Sequence, residues 1–286
     1  MLDWLTEHKI PLGAWLRSGV DALITHGQGF FDAVSLVLGG LIDGLTTGLE
    51  LVPPLLFVAL AGAGAYLLHR SLQLAAFAVL SLLLIINLGY WTAAIETLSL
   101  VFCATLFCVL IGVPVGIVAA HRPRLYAGLR PLLDLMQTIP TFVYLIPTLV
   151  LFGLGVVPGL ISTVIFAIAA PIRLTYLGMS SVPEPLREAA AAFGATRRQM
   201  LLKVELPHAL PTIMAGVTQC IMLSLSMVVI AALVGADGLG KPVVRALNTV
   251  NIGMGFEAGL AIVILAILLD RICKVPVPRV GKGGRR

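Results

Sequence analysis

The residues of this chain that are suited to chemistry are gathered in one polar stretch, Arg187 to Pro207, which reads REAAAAFGATRRQMLLKVELP. Its alanine run lets another backbone approach closely, and the basic side chains of Arg197, Arg198 and Lys203 would orient that contact by charge. The chemistry that these residue types favour is docking onto a partner protein. We call residues 187–207 the elbow.

Two short helices joined by a tight turn are predicted for the elbow and the residues just before it. The capping-box spacing, a hydroxyl residue followed three positions later by Glu or Gln, occurs at Ser181 with Glu184 and at Thr196 with Gln199. The alanine run 189–192 forms the body of the first helix, and Gly194 supplies its left-handed C-terminal stop. We expect the second helix to end at Leu206 and Pro207, where the next apolar run begins.

The chain as a whole is too apolar to be an ordinary soluble domain. Of its 286 residues, 59% are hydrophobic and 12% are charged, and the mean hydropathy is +1.03, whereas soluble domains carry about a quarter charged residues. The net charge of +5 does not indicate a nucleic-acid partner, because the basic residues are spread over separate loops without an aromatic-interleaved stripe. An all-α integral membrane protein is predicted.

Seven apolar runs follow residue 50, and each is close to the ~20 residues needed to cross a bilayer core. They cover roughly residues 51–68, 74–91, 97–120, 135–157, 159–179, 209–234 and 252–270. Pro140 and Pro147 break the fourth run, and prolines at membrane depth are tolerated where neighbouring helices or a water-lined cavity satisfy the freed carbonyl groups. The fourth run is therefore predicted to face a pathway.

The N-terminal segment, Met1 to Glu50, is not predicted to be a cleavable signal, since Asp3 and Glu7 stand where a signal peptide is positive. Apolar residues then recur at helical spacing, at Phe31, Val34, Leu38, Leu41, Ile42, Leu45 and Leu49. The pattern predicts an amphipathic helix lying on the membrane. We favour a packing scaffold as its role over an osmotic or lipid sensor.

Lysine and arginine mark one side of the predicted bundle. They follow the first, third, fifth and seventh runs, at Arg70, at Arg122 to Arg130, at Arg173 to Lys203 and at Arg271 to Arg286. Cytoplasmic connections carry the excess of positive charge in membrane proteins. The elbow and the C-terminus are therefore predicted to be cytoplasmic, and the N-terminus to be outside.

The elbow contains one motif of residues at a fixed spacing, namely Glu188, Ala189, Ala190, Gly194, Val204, Leu206 and Pro207. This pattern resembles the EAA loop of ATP-binding-cassette importer permeases, in which isoleucine usually stands where this chain has Val204. Four further stretches are similar to the glycine betaine, proline betaine and choline branch of these permeases, namely residues 136–155, 171–183, 225–240 and 255–272.

The resemblance implies a type I importer permease of the bacterial inner membrane that acts as a homodimer in lipid and is not itself an enzyme. Its partners would be two cytoplasmic ATPase subunits, which hold the ATP and magnesium, and a separate external binding protein; the permease would bind no cofactor. The ATPase-coupling residues would be Glu188, Ala189, Ala190, Gly194, Arg197, Leu206 and Pro207. The chain would comprise an extracytoplasmic segment 1–50, two transmembrane helices in 51–94, a core 95–272 with the coupling loop 181–207, and a basic cytoplasmic tail 273–286.

Polar residues of the fourth run could line the path of a quaternary ammonium solute, namely Gln137, Thr138, Thr141 and Tyr144. An aromatic face holds such a cation by cation–π attraction. The same residues would also suit an interfacial belt or helix packing, and the sequence leaves both roles open.

Other motifs carry less functional weight. Residues 235–241, GADGLGK, fit most of a phosphate-binding P-loop, but Pro242 stands where Ser or Thr must hold magnesium, so an external loop is favoured. The four cysteines and five histidines lack the spacing of a metal site. Gly112 and Gly116 permit close helix contact, either within the chain or at a dimer seam.

Three alternatives belong to other classes or substrates. An ion-coupled osmolyte transporter is disfavoured because the acidic residues of the runs, Glu96, Asp134, Glu257 and Asp270, fall near run ends and not at the midplane. A membrane-embedded enzyme would need an interior charged or nucleophilic constellation, which the sequence does not show. An importer of methionine or another amino acid would carry the same elbow.

Overall fold

Helices make up almost all of residues 11–274, the part of the chain that the computed structural model describes. In chain order they are α1 (Leu12–Glu50), α2 (Pro54–His69), α3 (Leu72–Asn87), α4 (Trp91–His121), α5 (Pro123–Thr138), α6 (Thr141–Phe152), α7 (Val156–Ala167), α8 (Ala169–Ser180), α9 (Glu184–Ala192), α10 (Arg197–Met200), α11 (Leu206–Ala232), α12 (Gly240–Asn248) and α13 (Ile252–Cys273). A π-helical turn, Leu201–Glu205, joins α10 to α11. No strand occurs in this range, so the all-α prediction is confirmed.

Within residues 11–274, five helical segments are long and apolar enough to cross a membrane, namely Gly13–Glu50, Trp91–His121, Val156–Ser180, Arg197–Ala232 and Ile252–Cys273. The bent pair of α5 and α6 makes a sixth if it is counted as one broken span. All seven predicted runs are helical, but α2 and α3 have only 16 residues each. At 1.5 Å per residue each is about 24 Å long, short of the ~30 Å hydrocarbon core. The predicted count of about seven spans leaves out α1 and is reached only if the bent pair, α2 and α3 are all included.

The N-terminal helix α1 packs across one end of the bundle. Phe31 meets Phe152, at the end of α6, with ring centroids 5.3 Å apart, and Gly39 lies over Val157 at the start of α7. Both partners lie at the end of the bundle opposite the elbow, and the predicted position of this helix on the membrane surface stays a prediction. The residues of the predicted stripe are buried or half-buried except for Leu41, which lies at the edge of the stripe and is 42% exposed.

Glycines allow α4 and α8 to approach closely in the centre of the bundle. A Cβ on Gly116 would lie 2.6 Å from Cβ of Thr175, and a Cβ on Gly112 would lie 3.0 Å from Cγ of Pro171. Neither position has room for a side chain. The G-x-x-x-G spacing therefore serves packing within this chain, which decides between the two roles that the sequence left open.

The fourth predicted run breaks at Pro140, where the axes of α5 and α6 meet at 94°. Proline disfavours a helical conformation for the residue before it, and Ile139 is extended, with ψ 130°. Pro147, predicted to be a second break, lies inside α6. The Tyr144 hydroxyl donates to the carbonyl of Met136 at 2.7 Å and so bridges the two arms of the bend.

The P-loop-like residues 235–241 form a packed connection between α11 and α12. The Leu239 N–H donates to Thr97 Oγ1 at 2.8 Å, and Gly238 has a φ of +122° and stands against the same threonine. No strand precedes this stretch within residues 11–274. Its glycines serve a tight turn against α4, and the structure agrees with the loop interpretation.

Candidate coupling site

The elbow protrudes from one end of the bundle as two helices, α9 and α10. The chain turns between them at Gly194, whose φ of +75° is the left-handed conformation that glycine adopts without strain. Thr196 caps α10, because its hydroxyl accepts from the Gln199 N–H at 3.3 Å while Gln199 Oε1 accepts from the Thr196 N–H at 2.9 Å. The predicted turn and the second capping box are confirmed.

The first capping box is absent, so that prediction is wrong. The Ser181 hydroxyl donates to the carbonyl of Gly178 at 2.9 Å, which ties it to the last turn of α8. The N-cap position of α9 is Pro183, with φ −59° and ψ 133° and no side-chain cap. Proline fixes its own φ, so the entry into α9 is set by the ring and not by a hydroxyl.

The second helix of the elbow does not end at Leu206 and Pro207, which corrects another prediction. The π-helical turn Leu201–Glu205 passes directly into α11, so residues Arg197–Ala232 form one helical segment of 36 residues. In a regular α-helix the ring of Pro207 would clash with the carbonyl four residues earlier, and a π turn adds the residue that relieves such a clash. The elbow is thereby continuous with a membrane span.

The outer surface of the elbow is apolar and exposed at its tip. Phe193, the residue after α9, is 93% exposed, and Leu186, which lies in α9 just before the elbow, is 47% exposed. Between them the side chains are mostly small, with Ala189, Ala191 and Ala192 exposed. An exposed aromatic side chain surrounded by small residues is typical of the anchor residues that dominate protein–protein contacts. Sequence reasoning missed Phe193, although an aromatic ring between alanine and glycine in a polar stretch was a visible signal.

A buried carboxylate, Glu205, fastens the elbow to the bundle. Its side chain is 5% exposed; Oε2 lies 2.9 Å from Nε2 of His121 at the end of α4, and Oε1 lies 3.2 Å from Nε of Arg187 in α9. The Arg187 guanidinium also donates to the carbonyl of Met179 in α8, at 2.7 Å. We call Glu205, His121 and Arg187 the clamp, because together they join α4, α8, α9 and the π turn.

The clamp is electrostatically matched. Nδ1 of His121 lies 2.9 Å from the carbonyl of Ile117, so both ring nitrogens of His121 face oxygen atoms. A buried carboxylate is costly unless it is paired, and Glu205 has a basic partner at each oxygen. The sequence pattern treated position 205 as unconstrained, although an acidic residue between apolar neighbours at the entry to a membrane run was a signal.

The other predicted site residues fall into two places. Glu188, Arg197 and Pro207 are exposed on the elbow, whereas Leu206 is half-buried where the elbow meets the bundle. The four predicted path residues flank the bend, Gln137 and Thr138 at the end of α5 and Thr141 and Tyr144 at the start of α6. Two of their hydroxyls already have backbone partners, since Thr138 donates to Leu135 and Tyr144 donates to Met136.

No group of three His, Cys, Asp or Glu residues within residues 11–274 could hold a metal ion. The elbow combines an exposed aromatic tip, Phe193, with the ion pairs of the clamp at its base, an arrangement suited to contact with another protein.

Comparison with known proteins identifies the family. Residues 112–282, more than half of the chain, match the family described as "Binding-protein-dependent transport system inner membrane component". The glycine betaine transport system permease protein OpuAB of Bacillus subtilis is 46% identical over 92% of this chain and 93% of its own length. The glycine betaine/proline betaine transport system permease protein ProW of Escherichia coli is 44% identical over 95% of this chain and 77% of its own.

A solved structure supports the same fold. The inward-facing MetNI methionine ABC transporter matches with a TM-score of 0.55 and 28% identity, over 61% of this chain and 88% of that one. The elbow, the continuous helix behind it and these similarities lead to one conclusion: the chain belongs to the family of binding-protein-dependent transport system inner membrane components, the permeases of ABC importers.

Proposed function

We propose that this chain forms the membrane path of an ATP-driven importer for quaternary ammonium osmolytes such as glycine betaine and proline betaine. The observation that supports the mechanical part is the uninterrupted helical segment from Arg197 to Ala232, which makes α10, the second helix of the elbow, continuous with a membrane span. The substrate class is supported by relatives that are named for glycine betaine and are similar over nearly the whole chain.

The elbow converts closure of a partner ATPase into movement of the bundle. In this proposal Phe193 and the alanine face dock on the ATPase, together with the predicted coupling residues Glu188, Ala189, Ala190, Gly194, Arg197, Leu206 and Pro207. ATP binding on the partner draws two elbows together, and α11 tilts with them. The clamp makes α4 and α8 follow, because Glu205 pairs with His121 of α4 and Arg187 donates to the Met179 carbonyl of α8. Hydrolysis then resets the path to face inward.

The partners follow from the same proposal. Two copies of this chain form the path, two cytoplasmic ATPase subunits hold ATP and magnesium, and an external binding protein delivers the solute. The elbow end is cytoplasmic and the N-terminus is outside. This orientation is supported by four arginines on helices or connections at the elbow end, namely Arg122, Arg130, Arg173 and Arg198. Positive charge is retained on the cytoplasmic side of membrane proteins.

The bend between α5 and α6 is proposed to border the path. Gln137, Thr138, Thr141 and Tyr144 surround a break in a membrane-depth helix, and irregular backbone at that depth is tolerated where it lines a cavity. The Tyr144 ring remains half-buried and offers an aromatic face to a quaternary cation.

Reconstitution tests the proposed function. The permease is placed in liposomes with its ATPase and candidate binding proteins, and ATP hydrolysis is scored as each loaded solute is added. Glycine betaine or proline betaine is expected to stimulate hydrolysis. Stimulation by methionine or another amino acid alone would transfer the substrate class to the second candidate, the class of solute named for the MetNI transporter. Solute uptake driven by an ion gradient in the absence of ATP would refute an ABC mechanism.

A further inference from the structure

The membrane span α11 presents a polar side chain on its exposed face at mid-depth. Gln219 is the central residue of α11, Leu206–Ala232, and it is exposed. Ala215 lies one turn before it on the same face and Met222 lies about one turn after it, and both are exposed. Ser226, one turn further on, is exposed as well.

The exposed faces of other spans are different at the same depth. On α4 the exposed side chains near the middle are Phe102, Leu106 and Leu110, at 55%, 38% and 60%. On α13 the central exposed side chain is Val263, at 52%, followed by Ile267 at 40%. These faces are suited to acyl chains. An amide without a partner is costly in hydrocarbon, so the Gln219 face is not suited to lipid.

A cavity runs along this face of α11. It has a volume of about 550 Å³ and reaches from Pro207 and Pro211, beside the elbow, to Gln219 and Met222 at mid-span. Cys273, at the end of α13, closes one side. Cavities of roughly 300–1,000 Å³ are typical of small-molecule sites, so the space is large enough for a small solute.

The lining of the cavity suits passage more than retention. Among its described lining residues there is no aromatic ring and no carboxylate, so nothing there would hold a quaternary ammonium group tightly. The Gln219 amide can donate to a solute carboxylate or accept from a hydroxyl, and the surrounding Met214 and Met222 are soft and adaptable. Conduction requires contacts weak enough for the solute to leave.

We propose that Gln219 lines the solute path and provides its polar contact at mid-depth for a small zwitterionic or hydroxylated solute. The proposal rests on the proposed function, which supplies the solute class. The exposed face of α11 then meets water and solute within the importer, while the apolar faces of α4 and α13 meet lipid.

The test uses cysteine variants of the full permease assembled with its ATPase in liposomes. The background carries Cys273→Ser, because Cys273 borders the same cavity, whereas Cys103, Cys108 and Cys220 are fully buried. Gln219→Cys is compared with Val263→Cys, which stands at the centre of the lipid-exposed face of α13. The probe is a thiol-specific methanethiosulfonate that carries a trimethylammonium group. Only a hydrated thiol ionises readily to the reactive thiolate.

We expect Gln219→Cys to react at least about ten-fold faster than Val263→Cys, since a thiolate is poorly populated in hydrocarbon. We also expect glycine betaine delivered by its binding protein to slow the reaction. Equal rates at the two positions would overturn the proposal, as would unchanged solute uptake in Gln219→Leu. Fast, unprotected labelling of Gln219→Cys would refute the solute contact. If the unmodified importer carried an amino acid instead, the proposed function would fail while the labelling difference remained.

Discussion

Removing the charge of Glu205 should loosen the elbow without unfolding the bundle. Breaking a buried ion pair by deleting one partner costs about 3–5 kcal/mol. In Glu205→Gln the cost is smaller, because the amide oxygen still accepts from His121 and because the side chains of His121 and Arg187 are 48% and 40% exposed and regain hydration. We therefore expect about 1–2 kcal/mol, which is a roughly 5- to 30-fold change in an equilibrium.

That equilibrium is the docking of α9 on the bundle. Local opening is reported by amide hydrogen exchange, so the amides of residues 186–192 should exchange roughly 5- to 30-fold faster in Glu205→Gln. Solute-stimulated ATP hydrolysis by the assembled importer should fall, because a detached elbow cannot move α4 and α8. The matched control is Glu184→Gln, which removes an exposed carboxylate in the first turn of α9. This substitution should change the hydrogen-exchange rates of these amides much less than Glu205→Gln does.

A double-mutant cycle separates the ion pair from other effects of the substitution. Arg187→Gln combined with Glu205→Gln should cost less than the sum of the two single variants, because each alone leaves the other charge without its partner. Two results would refute the reasoning that the clamp holds the elbow. One is that the free-energy costs of the two substitutions are additive, and the other is that the amides of α9 exchange hydrogen as slowly in Glu205→Gln as in the unmodified protein.

Three further substitutions probe the elbow and the core. Phe193→Ala should weaken ATPase binding by about 2 kcal/mol or more, as loss of an aromatic anchor does, with the affinity measured between purified subunits and no change in the permease melting temperature. Gly116→Ala should destabilise the bundle by about 1–3 kcal/mol through overpacking against Thr175, whereas Gly128→Ala, with no atom within 4 Å of its Cβ, should not; thermal unfolding compares them. Gly194→Ala should cost about 1–2 kcal/mol for a left-handed non-glycine residue and increase exchange at the turn.

Local signals in the sequence predicted the parts of the site that depend on neighbouring residues. Gly194 and the Thr196 capping box follow from conformational preference and a three-residue spacing, and both are present. The Ser181 capping box used the same spacing and failed, because Pro183 fixes the entry to α9 and leaves the hydroxyl to the preceding helix. A spacing rule cannot separate these cases unless the residues between are considered.

The clamp could not be derived from sequence periodicity. Glu205 and His121 are 84 positions apart, and their contact depends on how the ends of α4 and α8 meet the elbow. The continuity of the elbow with α11 was missed for another reason. Pro207 is ordinarily read as a helix boundary, whereas here the π turn before it absorbs the clash and the helix continues.

The most direct test of the central claim is the distance between the two elbows in the working importer. Spin labels at Arg198→Cys, an exposed position on α10, would report it in the permease–ATPase complex by pulsed electron resonance. The account predicts that the distance shortens when ATP is bound and lengthens again after hydrolysis. An elbow-to-elbow distance that is the same in both states would contradict it.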